Sequence, residues 1–75
     1  MAEAILDVTG LNCPLPILRT KKKLKEVPLD GTLTVIATDP GAVKDMEVFC
    51  HQTGNELLSW KGEDGTFTFE IKRRT

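Results

Sequence analysis

The chain has few of the residues from which catalytic and metal sites are usually built. Its 75 residues include no tyrosine, one histidine and two cysteines. A cysteine hydrolase needs a base beside its thiol, and the single candidate, His51, falls on the polar side of its predicted helix. Cys13, Cys50 and His51 also lack the paired spacing of zinc ligands. We therefore expect no metal and no other cofactor.

Long apolar runs and a strong charge of one sign are missing too. No run is long enough to span a bilayer, and residues 1–4 lack the basic stretch and apolar run of a secretory signal. We therefore expect a cytoplasmic protein without membrane contact. In that reducing compartment the two cysteines are predicted to be free thiols. The formal net charge of −1 argues against a general nucleic-acid binder.

The length predicts one domain over residues 1–75, with its chemistry at the surface or at the end of an element. Hydrophobic periodicity predicts six elements in the order βαβαββ. The predicted strands cover residues 4–8, 33–38, 57–61 and 66–72. Trp60 is expected on the same side of its strand as Leu58, opposite Leu57 and Ser59. It would lie on the open face of the sheet or under the chain end.

Two helices are predicted between these strands. They should begin at Pro14 and Pro40, because proline is favoured in a first turn. Asp39 is the predicted N-cap of the second helix, Gly54 its C-terminal cap, and residues 62–65 the turn of a closing hairpin. The apolar positions of the helices and last strand are Ile17, Thr20, Leu24, Val27, Ala42, Val43, Met46, Phe49, Cys50, Phe67, Phe69 and Ile71.

The predicted strands each have one apolar and one more polar face. The fold class is therefore expected to be α/β (α+β), a two-layer sandwich with two helices packed on one face of a four-stranded mixed sheet. The crossover between the first two strands should be right-handed. No exposed apolar stripe demands a dimer, so the expected state is a monomer.

Cys13 is the residue from which chemistry is expected. It comes immediately before a helix, where unpaired amides and the positive end of the dipole favour a thiolate. Arg19 and Lys22 are expected to add to this effect. Pro14 and Pro16 carry no amide hydrogen and have a fixed φ, so they remove competing donors and stiffen the turn. The sequence therefore predicts a reactive thiol presented to other proteins.

The surroundings of Cys13 favour a carrier over other thiol proteins. Pro16 occupies the position where a thioredoxin-like pair has its second cysteine, so a dithiol cycle is not expected. Cys50 shares the apolar face of its helix and is interpreted as a buried structural residue. The alternative for Cys13 is a small residue that is simply tolerated at a helix start.

A docking surface is predicted next to the thiol. Leu15 and Leu18 should point away from the apolar side of the first helix, beside Cys13. Together with Arg19 and Lys22 they form a candidate surface for an acidic protein partner. The alternative is that the basic residues form an ordinary solvated helix face and that Leu15 packs under the preceding loop.

The motif Cys13-Pro14-Leu15-Pro16 at a helix start resembles the TusA/SirA-like sulfur carrier family. The resemblance runs along essentially the whole chain and includes residues 37–40, Asp45, Phe49-Cys50 and the closing hairpin. It implies a βαβαββ sandwich like the C-terminal domain of a translation initiation factor. It also implies that Cys13 is the persulfide site and that Pro14 and Pro16 shape it.

The family also suggests partners. By resemblance, Cys13 accepts sulfane sulfur from a cysteine desulfurase or a rhodanese and passes it to an acceptor protein. The pathways implied are tRNA thiolation, molybdenum cofactor synthesis and dissimilatory sulfur oxidation. Such a protein is a sulfurtransferase-type carrier with a persulfide intermediate rather than a stand-alone multiple-turnover enzyme.

Two other functions remain open from the sequence. One is a small RNA-binding module, which the basic run over residues 19–25 favours. The net charge, the few aromatic residues and the missing Gly-x-x-Gly clamp argue against it. The other is a regulatory adaptor in which Cys13 is dispensable.

Overall fold

The computed structural model describes residues 3–75 and contains the six predicted elements in the predicted order. The strands are β1 (Glu3–Val8), β2 (Thr32–Ala37), β3 (Glu56–Glu63) and β4 (Thr66–Lys72). The helices are α1 (Leu15–Leu24) and α2 (Ala42–Thr53). Within residues 3–75, no helix is both long and apolar enough to cross a membrane.

The strands form one mixed sheet in the order β1-β2-β4-β3. β1 and β2 are parallel, and the other neighbours are antiparallel. Because β1 and β2 run the same way, the loops that follow Val8 and Ala37 leave the sheet at the same edge. The loop that carries Cys13 and the loop that leads into α2 are therefore neighbours.

The core lies between the helices and one face of the sheet, as the alternation predicts. In β2, Leu33, Val35 and Ala37 are fully buried, whereas Thr34 and Ile36 on the other face are partly exposed. The buried apolar residues are Val8, Leu24, Val27, Leu33, Val35, Ala37, Ala42, Met46, Phe49, Cys50, Phe69 and Ile71. The predicted two-layer α/β sandwich is confirmed.

The predicted helix starts are wrong by one residue for α1 and by two for α2. α1 begins at Leu15 with Pro14 as its N-cap residue, and α2 begins at Ala42 after Gly41. Asp39 is therefore not the N-cap of α2. Its Oδ1 instead accepts a 3.1 Å hydrogen bond from the amide of Gly41, and this arrangement shapes the turn that precedes the helix.

The glycine-based predictions hold better. Gly54 ends α2 in the left-handed conformation, with φ 78°, and its amide donates to the carbonyl of Cys50. Asp64 and Gly65 have φ of 52° and 80°, which suits the two-residue turn of a tight hairpin. β3 therefore extends to Glu63 and β4 begins at Thr66. The turn is shorter than the predicted one, which covered residues 62–65.

The expected position of Trp60 on the open face is wrong. The register of β3 shifts between Leu57 and Ser59, so Leu58 is an extra residue in the ladder. Trp60 consequently pairs with Phe69 and lies on the side of the sheet that carries the helices, with the two ring centroids 6.4 Å apart. Because β3 is an edge strand, Trp60 remains 44% exposed.

Candidate functional site

Cys13 is exposed in the loop between β1 and α1. Its backbone amide donates a 3.0 Å hydrogen bond to Oδ2 of Asp39. In the same loop, the amide of Gly10 donates a 2.8 Å bond to Oγ1 of Thr38. Both acceptors lie just after β2, so the parallel pairing of β1 and β2 brings together the two loops that build the site.

The two prolines of the motif have different surroundings. Pro14 is exposed, whereas Pro16 is among the fully buried side chains. The hydroxyl of the buried Thr20 donates a 2.7 Å hydrogen bond to the carbonyl of Pro16. Pro16 therefore fixes the first turn of α1 to the core, while Pro14 stays at the surface beside the thiol.

A shallow groove between α1 and α2 has Cys13 in its lining. From the loop and α1 it is lined by Cys13, Pro14 and Ile17. From α2 it is lined by Lys44, Asp45, Val48, Phe49 and Gln52. Cys13 thus borders a groove with both apolar and polar side chains, and the charged ones, Lys44 and Asp45, lie on the α2 wall.

Asp45 and Asp39 are the charged residues that shift the pKa of the Cys13 thiol. A hydrogen bond between the thiol and the Asp45 carboxylate raises the pKa of Cys13, and desolvation and the negative charges of Asp45 and Asp39 raise it further. The two carboxylates also converge on Gly41, where an added Cβ would lie 3.7 Å from Asp39 Oδ1 and 3.8 Å from Asp45 Oδ2. The thiol therefore faces a pair of negative charges.

The prediction that the surroundings of Cys13 favour its thiolate is wrong, because the pKa of the thiol is raised. Few amides in the first turn of α1 are free to face the sulfur, because Pro16 has none and Leu15 and Leu18 donate to the carbonyls of Asn12 and Pro14. The charged groups that act on the thiol pKa are carboxylates. Arg19 and Lys22 were expected to lower the pKa of Cys13, but neither is among the groups that shift it.

The predicted docking residues are exposed on α1 but lie outside the groove. Leu15 and Leu18 are 44% and 55% exposed, and Arg19 and Lys22 are exposed as well. None of the four residues lines the groove that Cys13 borders. Their role in docking stays a prediction.

Periodicity alone missed Asp45 as a neighbour of the thiol. A signal was present in the topology, since Asp45 lies in the first turn of α2. That turn is at the edge of the sheet where β1 and β2 end. Residues that follow parallel strands meet at this edge, so the predicted fold already placed the start of α2 near Cys13.

The remaining candidate residues, Cys50 and His51, do not line the groove that Cys13 borders. Cys50 is 3% exposed, and burial raises the pKa of its thiol to about 11. His51 is exposed, as its place in the periodicity predicts. In the described part of the chain, no three of the His, Cys, Asp and Glu side chains are grouped so that they could hold a metal ion.

Comparison with known proteins gives consistent matches over the whole fold. The family model described as "Sulfurtransferase TusA" matches residues 4–73. A "Sulfur carrier protein TusA" of Allochromatium vinosum is 59% identical over 68 residues, which cover 91% of this chain and 90% of that protein. One of the same name from Pseudomonas syringae pv. tomato is 40% identical over 73 residues, with 97% and 87% coverage.

A solved structure supports the fold independently. The crystal structure of a SirA-like protein from Desulfitobacterium hafniense aligns with a TM-score of 0.82. The alignment covers 96% of this chain and 99% of that one at 23% sequence identity. At this identity the likeness concerns the fold alone.

Proposed function

The chain belongs to the sulfurtransferase TusA family, and we propose that it is a sulfur carrier that holds sulfane sulfur as a persulfide on Cys13. The observation that carries this proposal is the exposure of Cys13 in a loop fixed by hydrogen bonds to the neighbouring loop. Relatives at 59% and 40% identity are named as sulfur carriers. Cys50 is buried in the core, so Cys13 is the thiol that a partner can reach.

The chemistry is an exchange between sulfurs. The Cys13 thiol loses its proton, and the thiolate attacks the terminal sulfur of a donor persulfide, R–S–SH. A bond forms between that sulfur and Cys13 Sγ while the donor S–S bond breaks, and R–S⁻ leaves and takes up a proton. One sulfur–sulfur bond replaces another, so no external oxidant or reductant is consumed. Delivery to an acceptor thiol repeats the exchange with Cys13 as the leaving group.

The partners proposed are a cysteine desulfurase or a rhodanese as donor and a separate protein as acceptor. Acceptors in tRNA thiolation, molybdenum cofactor synthesis or sulfur oxidation fit the same exchange. Donor and acceptor must reach the same exposed sulfur in turn, so each complex has to be transient. We place the exchange in the cytoplasm, where the carrier thiol stays reduced between cycles.

We further propose that Leu15, Leu18, Arg19 and Lys22 contact these partners. All four are exposed on α1, the helix that starts at the Cys-Pro-x-Pro motif. Replacing Leu18 by Ala should weaken donor binding without loss of stability, whereas Leu29→Ala should not weaken it. Leu29 is a matched control because it is 62% exposed in the loop between α1 and β2. Equal effects of the two variants on the donor Kd would contradict this docking surface.

The test of the carrier function is intact mass after incubation with a donor. Reduced protein is treated with a cysteine desulfurase and cysteine, or with a rhodanese and thiosulfate. We expect a gain of about 32 Da that a reducing thiol removes. Cys13→Ser should abolish the gain and Cys50→Ser should keep it. If neither donor loads the wild-type protein, or if Cys13→Ser still loads, the proposed function is wrong.

A further inference from the structure

We propose that Thr38 and Asp39 are positioning residues for sulfur transfer. Through two hydrogen bonds they hold the Cys13 loop (residues 9–14) in the one conformation from which Cys13 exchanges sulfur with a partner protein. The inference rests on the proposed function of Cys13 as the sulfur-carrying residue. It gives the residues that follow β2 a part in the transfer, because their side chains bind the backbone of the Cys13 loop.

Two long-range hydrogen bonds hold the Cys13 loop. The amide of Gly10 donates a 2.8 Å bond to Oγ1 of Thr38, and the amide of Cys13 donates a 3.0 Å bond to Oδ2 of Asp39. The bonded residues are 28 and 26 positions apart in the chain. Both bonds therefore connect the loop to the residues after β2, one near the start of the loop and one at the reactive residue itself.

Local hydrogen bonds complete the first turn of the loop. The amide of Thr9 donates to Oδ1 of Asp7 over 2.9 Å, and the amide of Leu11 donates to the carbonyl of Val8 over 3.3 Å. Gly10 has φ 79°, a conformation that glycine adopts without strain. These contacts shape the turn but do not connect it to β2, so its position relative to that strand depends on the bond to the side chain after it.

A fixed loop matters because sulfur transfer joins two proteins. Both reacting sulfurs belong to folded chains, so their approach and alignment depend on how each chain presents its own sulfur. A misplacement of about 1 Å can slow a reaction by about a hundredfold. A small reagent in solution can instead approach an exposed thiol from many directions. Loosening the loop should therefore slow transfer from a protein donor and spare reaction with a small electrophile.

Thr38 allows a cleaner test than Asp39. Valine resembles threonine in shape but lacks the acceptor, and serine keeps the hydroxyl. Neither replacement changes a charge near the thiol, whereas an uncharged replacement of Asp39 removes one. Thr34→Val is the matched control, because it makes the same replacement at a partly exposed position of β2, on the open face of the sheet.

The first experiment measures by intact mass how fast a cysteine desulfurase with cysteine, or a rhodanese with thiosulfate, loads each variant as the carrier concentration is raised. We expect Thr38→Val to lower the maximal loading rate about three- to tenfold, with the half-saturating concentration unchanged. Thr38→Ser and Thr34→Val should load as wild type does. All three variants should react with iodoacetamide as fast as wild type.

Three results would overturn the positioning role. They are an unchanged maximal rate in Thr38→Val, a higher half-saturating concentration at the wild-type maximal rate, and alkylation slowed by the same factor as loading. Failure of wild type to load from either donor would instead refute the carrier function, and the positioning role with it.

The second experiment measures hydrogen exchange of single amides by NMR, and its wild-type arm does not depend on the folding of a variant. The amides of Gly10 and Cys13 should exchange roughly tenfold more slowly in wild type than in an unstructured peptide, because both are bonded. Thr38→Val should accelerate exchange at Gly10, whereas Thr38→Ser should not. Exchange of both amides at the unstructured rate in wild type would overturn the proposal.

Discussion

The amide of Cys13 donates to Oδ2 of Asp39 over 3.0 Å, so a residue 26 positions further along the chain holds the loop that presents the thiol. Oδ1 of the same carboxylate accepts the amide of Gly41. Asp39 thus connects the loop before α1 to the turn before α2. The position of the sulfur relative to Asp45 depends on this connection.

Replacing Asp39 by Ala should destabilise the protein by about 1–2 kcal/mol, because two backbone amides lose their acceptor. Asp39→Asn keeps one side-chain carbonyl oxygen and should cost less. Urea denaturation of both variants measures the difference in unfolding free energy. An Asp39→Ala protein as stable as wild type would show that neither hydrogen bond contributes.

Cys50 should make stability fall at alkaline pH. Its folded pKa of about 11 lies above the ordinary value of 9.0, so above pH 9 the folded state keeps the proton that the unfolded state releases. The stabilisation is therefore complete below the unfolded pKa and is lost as pH rises towards the folded one.

Cys50→Ala provides the comparison, since the two proteins share every ionisable group except the Cys50 thiol. The unfolding free energy of each is measured at several pH values below and above the ordinary thiol pKa. We expect the stability difference between wild type and Cys50→Ala to narrow as pH rises. A constant difference would mean that the Cys50 thiol titrates as it does in the unfolded chain.

Pro16→Ala should lower the unfolding free energy by about 1–2 kcal/mol, because Pro16 is fully buried and its ring fills part of the core. Leu15→Ala, one residue earlier in the motif and exposed, should change stability by less than about 0.5 kcal/mol. Thermal unfolding of the two variants tests the contrast. Similar losses would contradict the assignment of Pro16 as the anchor of α1.

Gly62→Ala should disturb the aromatic contacts of the hairpin. An added Cβ would lie 2.9 Å from Cδ1 and Cε1 of Phe67, so this ring has to move, at a cost of about 1–2 kcal/mol. Trp60 lies 6.4 Å from Phe67, centroid to centroid, and its fluorescence should report the shift. Lys61→Ala, an exposed neighbour, is the control, and an unchanged emission spectrum in Gly62→Ala would contradict the expected clash.

Local signals in the sequence predicted much of the fold. Gly54 ends α2 and Gly65 closes the hairpin because both positions need positive φ, which glycine adopts without strain. The alternation in β2 correctly separated Val35 on the buried face from Thr34 on the open face. These features depend on neighbours along the chain, so the sequence was sufficient for them.

The errors concern residues whose surroundings are set by distant segments. The extra residue at Leu58 reverses the side on which Trp60 lies, and no turn signal marks it. The thiol pKa was predicted from the helix start and from Arg19 and Lys22 on the same helix, whereas Asp45 from α2 reverses the direction of the shift. Asp39 followed by proline fitted a helix start, but its carboxylate bonds to the loop of Cys13 instead.

The strand order also bears on how the protein is synthesised. β4 lies between β2 and β3, although it is the last of the six elements to be translated. Until residues 66–72 have left the ribosome, β2 has no partner on that side, and the core lacks Phe69 and Ile71. The nascent chain therefore cannot complete its sheet during elongation through α2 and β3, and folding should follow as one late step.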